Sequence, residues 1–405
     1  MTSNEVWTAE HRSVVTASFL GWMLDAFDYF LVVFVVTHLA TDFKTDVTGV
    51  TLGLSATLAM RPVGAFLFGR FGDRYGRRPA LMASILLYSA MELATAFSSS
   101  LNVFIALRAL YGIAMGGEWG IGAALAFEAV PVRSRGLVSG ILQAGYPCGY
   151  LLASVVYGLL FEHIGWRGMF VVGAVPALLV LYIYSKVPES QTWAAGRQQP
   201  ARRGLLDSLR GHWKLALYAI VLMACFNAFS HGTQDLYPTM LGKQRGFSTG
   251  TISQIAIVYN IGAILGGVLF GSLSGRVGRR RAIALAAALS LIVLPFWAYS
   301  TTPVALAIAS FAMQFMVQGA WGVVPVHLNE LSPEGVRATF PGVVYQLGNL
   351  LVSFNATMQS AIAAHLNKAH PDYSFALTLV CGIVAAALVL LALLGPERRN
   401  ARFAA

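Results

Sequence analysis

An all-α membrane protein, with twelve transmembrane helices in two pseudo-symmetric six-helix bundles, is the fold class this sequence predicts. Three observations carry that expectation: apolar stretches that recur along the whole chain, an uneven distribution of cations between loops, and an internal repeat.

The apolar stretches come first. The chain has 405 residues, of which 57% are hydrophobic and only 11% charged, and its mean hydropathy of +0.65 argues against two or three water-soluble domains. Segments of about 20 apolar residues, enough to cross ~30 Å of hydrocarbon, fall near 13–37, 49–71, 79–98, 101–126, 136–160, 168–186, 214–240, 250–274, 281–299, 303–328, 338–362 and 374–395. The first lacks a small-residue cleavage site after a short apolar core, so it reads as a retained helix and not a signal peptide. The three cysteines, Cys148, Cys225 and Cys381, all lie inside apolar segments and suggest neither a disulfide framework nor a metal site.

Cations alternate. One set of loops holds Arg70, Arg74, Arg77 and Arg78, then Arg133 and Arg135, the run from Lys186 to Lys214, the group Arg276, Arg279, Arg280 and Arg281, then Arg337, and finally Arg398, Arg399 and Arg402. With Arg12 that side carries 21 cations, against five on the other (Lys44, Arg167, Lys243, Arg245 and Lys368). The positive-inside rule reads this bias as topology, with both termini cytoplasmic. The net charge of +10 is thereby explained without nucleic acid.

The third observation is a repeat at a shift of 202 residues. It overlays "GRFGDRYGRRPAL" (69–81) on "GSLSGRVGRRRAI" (271–283), and without gaps it pairs Trp119 with Trp321, Glu128 with Glu330, Pro131 with Pro333, Arg135 with Arg337 and Gly140 with Gly342. Composition alone would align glycines by chance, but hardly a Trp, a Glu, a Pro and an Arg at one offset. The expected organisation is a six-helix bundle at 1–187, a cytoplasmic linker at 188–212 and a second six-helix bundle at 213–405.

The loop "GRFGDRYGRRPAL", together with "RALYGIAMGGEWG" in the fourth span and "VPES" after the sixth, resembles the signature of the major facilitator superfamily. The resemblance covers essentially the whole chain and implies alternating access about a central site. Gly69, Asp73, Arg74, Gly76, Arg77, Arg78, Arg135 and Arg337 form the expected gating loop. Asp73 is suited to accept from backbone N–H groups or an arginine, while Arg74, Arg77 and Arg78 are expected to face anionic headgroups. Glu128 and Glu330 stand seven residues before Arg135 and Arg337 and read as gate or loop ion pairs. In the second copy Gly275 replaces the acid, so its latch is expected to be weaker.

Ionisable residues within the spans each cost ~2.5–3.5 kcal/mol at a helix centre, so they must line a cavity or find partners. They are Asp25 and Asp28, Arg61, Glu92, Arg108 and Glu118, and His231 and Asp235. On a helix, Asn227, Ser230, His231, Gln234 and Asp235 share one face, and the 202 shift sets "NAFS" under the "DAFD" of Asp25–Asp28. Polar groups at matching positions of two related helices point to a translocation pathway. "NAFSHGTQDLYPT" (227–239) resembles, at Asn227, Ser230, His231, Thr233, Gln234, Asp235 and Thr239, the motif of the Jen-type lactate/pyruvate–proton symporters in the sialate:proton symporter branch. That resemblance implies a short-chain monocarboxylate substrate and a coupled proton.

The residues fit such chemistry. A carboxylate suits the planar fork of arginine, and Arg61 is deep in the second span beside Pro62; the alternative is that Arg61 neutralises Asp25 or Asp28. Arg108 reads as structural or as part of a proton route. Substrate contacts are expected from Arg61, Asn227, Ser230, His231, Gln234, Tyr345, Gln346 and Asn349, although such amides also serve interhelical hydrogen bonding. Proton coupling is expected from Asp25, Asp28, His231, Asp235 and Glu118, since histidine titrates near neutrality and His231 and Asp235 stand four apart. No phosphate loop or zinc-protease motif occurs, so neither an enzyme nor a cofactor nor a metal is expected. The expected reading is a monomeric, proton-coupled importer of lactate or pyruvate in the lipid bilayer of a bacterial inner membrane. The alternatives are a permease for a larger acid such as sialate, or a receptor or scaffold without transport.

Overall fold

The computed structural model describes residues 7–45, 47–197, 211–333, 336–366, 371–399 and 401. Those residues contain helices and no strands. The helices are α1 Ala9–Asp42, α2 Val47–Tyr75, α3 Arg77–Ala96, α4 Leu101–Ala129, α5 Arg135–Val172, α6 Ala177–Lys186, α7 Gln191–Arg197, α8 Trp213–Gln234, α9 Thr249–Val277, α10 Arg279–Tyr299, α11 Pro303–Trp321, α12 Val324–Leu331, α13 Thr339–Leu351, α14 Asn355–Leu366 and α15 Tyr373–Leu394. Each of the twelve apolar segments is mainly helical, and nine helical stretches among the described residues are long and apolar enough to cross a membrane. The greater part of the expected linker, 198–210, lies outside the described residues, as does Lys368.

Local chemistry sets the helix ends. Thr8 opens α1 with a capping box in which its hydroxyl accepts from His11 N–H at 3.2 Å while its own N–H reaches His11 Nδ1. Ser100, Ser248 and Thr302 cap α4, α9 and α11 through their hydroxyls, and Asp372 caps α15. Three of the expected spans are interrupted by one cause. α5 ends at Val172, four residues before Pro176; α8 ends at Gln234, four before Pro238; α11 ends at Trp321, four before Pro325. A proline ring collides with the carbonyl four residues back and offers it no N–H. The seventh span is therefore not the continuous helix 214–240 expected from hydropathy: it breaks at Asp235–Leu236 and resumes as a short turn at Tyr237–Thr239 and a π-turn at Met240–Gln244.

Glycine brings backbones together. A methyl group placed on Gly64 would lie 1.9 Å from Ile113 O, and on Gly112 or Gly116 about as close to Thr57 O (2.2 Å) and Arg61 O (2.1 Å). α2 and α4 thus touch main chain to main chain along three turns. The same contact recurs 202 residues later, where a methyl group on Gly266 of α9 would lie 2.0 Å from Phe315 O of α11. Helices before residue 187 pack chiefly on one another, as do those after 213. The two groups meet along α5 with α9 and along α2 with α13. At the first seam a methyl group on Gly140 would lie 2.4 Å from Gly267 O, and at the second one on Gly69 would lie 2.6 Å from the Thr339 Cα.

Candidate functional site

Arg61 is the centre of the site. It projects from α2 beside Pro62 and is only 5% exposed, yet its Nε and Nη2 have no hydrogen-bond partner in the protein. Its guanidinium lies 5.9 Å from the ring centroid of Tyr345 on α13 and acts on Asp25, Tyr146 and Tyr29. Trp321 packs edgewise on Tyr345 and Trp119 packs on it at a tilt of 50°, which makes an aromatic wall beside the cation. Tyr29 and Tyr146 were not singled out from the sequence.

Acids surround this cation. Asp25 and Asp28 on α1 are fully buried, and none of their four carboxylate oxygens has a hydrogen-bond partner. Glu118 on α4 is equally enclosed, and its Oε1 lies so close to Gly21 that a methyl there would approach it to 2.4 Å. Arg108 is committed elsewhere. Its Nη1 and Nη2 both donate to Glu92 Oε1 at 3.0 Å, and its guanidinium stacks 3.8 Å from the Tyr111 ring centroid. Glu92 stands on α3, and Asp28 and Glu92 both border Gly173. Four buried carboxylates (Asp25, Asp28, Glu92 and Glu118) thus share two buried guanidiniums. Desolvation penalises the two extra negative charges, so the cluster is neutral only when it holds protons.

The C-terminal helices face this cluster with uncharged groups. Ser230 Oγ accepts from Gln234 Nε2 and Gln318 Nε2, and Gln234 Nε2 also donates to Gln314 Oε1 at 3.0 Å. Gln314 Nε2 in turn donates to Thr233 Oγ1, and Gln359 Nε2 to Gly232 O. Asn227 is buried and bonds back to Met223 O within its own helix. Gln346 is 1% exposed with neither end of its amide partnered, and Asn355 on α14 is in the same situation. Asn349, one turn beyond Gln346, is half-buried. Gln314 and Gln318 on α11, and Asn355 and Gln359 on α14, each stand four apart, a signal the sequence held unnoticed. His231 and Asp235 pair at 3.2 Å across the helix break, with 41% and 36% of their side chains exposed. They occupy the accessible mouth of the site, above the depth of Arg61. Among the described residues no three His, Cys, Asp or Glu side chains converge as a metal site would.

The gating loop lies at the opposite end. Asp73 Oδ1 accepts from Ala338 N–H at 3.1 Å and from Arg77 Nη1 at 3.0 Å, and its Oδ2 accepts from the N–H and hydroxyl of Thr339. Arg77 does not face headgroups as expected. It is 3% exposed, because Asp73 and Glu128 together draw its guanidinium inward, and it reaches Glu128 Oε1 at 2.9 Å. Arg279 holds Glu330 in the same two-pronged way at 2.9 and 3.0 Å. The arginine that grips each glutamate is thus the first residue of the helix after the loop, Arg77 of α3 and Arg279 of α10, where the spacing of seven points to Arg135 and Arg337. Arg135 donates to Phe127 O and Ala401 O, and Arg337 is buried. Arg78 folds over Tyr184 and donates to its carbonyl, and Arg74 lies over Tyr75.

Gly76 and Gly278, both at positive φ (119° and 102°), turn the chain into α3 and α10. A carboxylate then caps each new helix. Glu189 accepts from the N–H of Arg77 and Arg78, and Glu397 from those of Arg279 and Arg280. This gives "VPES" a structural task. Burial pushes the Glu189 carboxyl above its usual range, against the pull of the backbone N–H groups it accepts from. The second copy has Gly275 where the first has Asp73, and there the two halves meet through backbone: a methyl group on Gly136 would lie 2.5 Å from Gly271 O and 3.1 Å from Gly275 N.

Comparison with known proteins adds to this geometry. The model of the Major Facilitator Superfamily matches residues 18–250 and 236–405. The chain is 30% identical over 371 residues to the carboxylic acid transporter protein homolog of Saccharomyces cerevisiae, covering 85% of this chain and 60% of that protein. It is 28% identical over 342 residues to the sialic acid transporter NanX of Escherichia coli, covering 83% and 84% of the two. A probable 4-methylmuconolactone transporter of Cupriavidus pinatubonensis is 28% identical over 400 residues, 96% of this chain and 92% of that protein. Among solved structures, the proton:xylose symporter XylE bound to 6-bromo-6-deoxy-D-glucose superposes with a TM-score of 0.79 at 20% identity, over 97% of this chain and 98% of the other. That likeness establishes the fold.

Proposed function

Because the chain belongs to the major facilitator superfamily of membrane transporters, we propose that it is a proton-coupled symporter importing short-chain monocarboxylates, such as lactate or pyruvate, by alternating access across a bacterial inner membrane. The observation that carries the reading is Arg61, a buried cation with two unpartnered nitrogens facing an aromatic wall. Its fork offers two parallel hydrogen bonds to one carboxylate. To Gln346, whose amide is unpartnered, and to Gln318 and Ser230, which bond to each other, we assign the hydroxyl or keto oxygen of the acid. The likeness to transporters of carboxylic and sialic acids supports an organic acid as substrate.

Coupling follows from charge. In the free site Arg61 is the nearby counter-ion of Asp25. A substrate carboxylate that takes Arg61 leaves Asp25 without that cation, and a proton taken up by the cluster restores neutrality. Asp28 and Glu118 extend the route that proton can follow, while His231 and Asp235 receive it at the mouth. By linkage, the acid then binds more tightly when the proton is present, and the proton more tightly when the acid is. The described arrangement has the Asp73–Thr339 clamp closed at the Arg-rich side, which we assign to the cytoplasm with both termini, and His231–Asp235 open to solvent. Two six-helix bundles, 1–187 and 213–405, rock about the site.

The test is uptake of labelled lactate into proteoliposomes under an inward proton gradient, with unlabelled lactate, pyruvate, acetate, propionate and sialate as competitors. Gradient-dependent accumulation competed by the short acids is expected. Accumulation competed by sialate at lower concentrations than by unlabelled lactate or the other short acids selects the larger-acid reading, which the likeness to NanX favours. No accumulation of any acid overturns the proposal.

A further inference from the structure

A groove of about 300 Å³ opens on the outer surface of the helices where α2, α8 and α13 meet. Its walls are Phe66, Trp213, Ala216, Leu217, Ile220 and a stripe of α13 from Thr339 to Leu347, with Thr339 the single polar residue. Rim and floor differ. Trp213, Leu217 and Phe66 are 58%, 54% and 46% exposed, whereas Thr339, Phe340 and Val344 are each 2% exposed. The exposed apolar rim lies on two helices long and apolar enough to span a membrane, so in a bilayer it faces lipid. An apolar slot of this size is at the lower end of ligand-binding cavities.

One end of the groove carries exposed cations among the described residues. α8 begins at Trp213, directly after the Arg-rich segment, and Lys214 Nζ sits 5.7 Å from the Trp213 ring centroid. On the facing helix Arg70 is exposed and stands one turn beyond Phe66. A tryptophan and two cations at the end of an apolar slot match the amphipathic layout of the membrane interface, where basic residues attract anionic headgroups. We propose that this groove is a binding site for an anionic phospholipid, with one acyl chain in the slot and the phosphate held by Arg70 and Lys214. The occupant rests on Thr339, the residue that Asp73 clamps, and so binds the arrangement in which α2 and α13 are joined.

The test is native mass spectrometry of the full chain in detergent, titrated with equal amounts of palmitoyl-oleoyl phosphatidylglycerol and phosphatidylcholine. The wild type is expected to retain one phosphatidylglycerol at least about fivefold in preference to phosphatidylcholine, and that lipid to raise the Tm. Ala216→Trp, which fills the slot, is expected to lose both effects. The pair Arg70→Gln and Lys214→Gln, which leaves the slot empty, is expected to bring the two lipids to equal retention. Equal retention in the wild type overturns the proposal, as does unchanged preference in Ala216→Trp. Should that variant fail to fold, unchanged preference in the Gln pair overturns it alone.

Discussion

Asp73 and Thr339, 266 residues apart in the chain, join α2 to α13: one carboxylate oxygen accepts from both the backbone N–H and the hydroxyl of the threonine. Because the acceptor is charged, each of these bonds contributes ~1.5–3 kcal/mol. Asp73→Asn is expected to favour the state open at the Arg-rich side by about tenfold or more, and Thr339→Val, which keeps the N–H, by less. Distances between spin labels on α2 and α13 check this, and unchanged distance distributions in Asp73→Asn would remove the clamp.

Arg61→Lys keeps the charge and loses the fork. Apparent affinity for the transported acid is expected to fall by at least about tenfold, roughly one lost charge-assisted hydrogen bond, with little change in the Tm. A wild-type KM in this variant takes Arg61 out of the substrate site.

His231→Ala and Asp235→Asn are each expected to weaken proton-driven accumulation while leaving exchange of labelled for unlabelled acid intact. The pair is exposed at the mouth, so neither change should cost stability. If both variants accumulate acid fully, the coupled proton travels only through Asp25, Asp28 and Glu118.

Gly64→Ala places a methyl 1.9 Å from Ile113 O, a main-chain atom that no rotamer change can move. A destabilisation of ~1–3 kcal/mol is expected, visible as a lower Tm in detergent. Gly158→Ala, where nothing lies within 4 Å, serves as the control and is expected to hold or raise the Tm. Equal Tm values would dissolve the claim that α2 and α4 meet through their backbones.

Residues at one offset were legible before any coordinates. The matched pairs Arg77–Glu128 and Arg279–Glu330 fall on positions that the 202 shift aligns, and Arg61 is buried, as its depth in the second span predicts. What stayed hidden were partnerships that periodicity does not encode. Glu92 and Arg108 lie on different helices, and nothing in either segment announces that one will claim the other. Arg77 read as a surface cation because loops with many arginines usually face headgroups; its burial needed two acids from elsewhere in the fold. The break at Asp235 was written in Pro238, but the unbroken hydropathy around it suggested a single rod. Gln314 and Gln318, like Asn355 and Gln359, gave no signal beyond their spacing of four, because each amide sits singly among largely apolar neighbours.

The glycine contacts that laminate α2 onto α4 have a consequence for how the carrier can work. Arg61 is carried by one of these helices, Arg108 and Glu118 by the other. With main chains in direct touch there is no compressible layer of side chains for them to slide upon. Whatever swings during a transport cycle, these three groups must travel as passengers on a single plank. On the proposed function, the anchor for the acid and part of the store for its proton then keep a fixed separation from loading to release, and the moving boundary falls elsewhere, where α13 passes this pair and α9 passes α5.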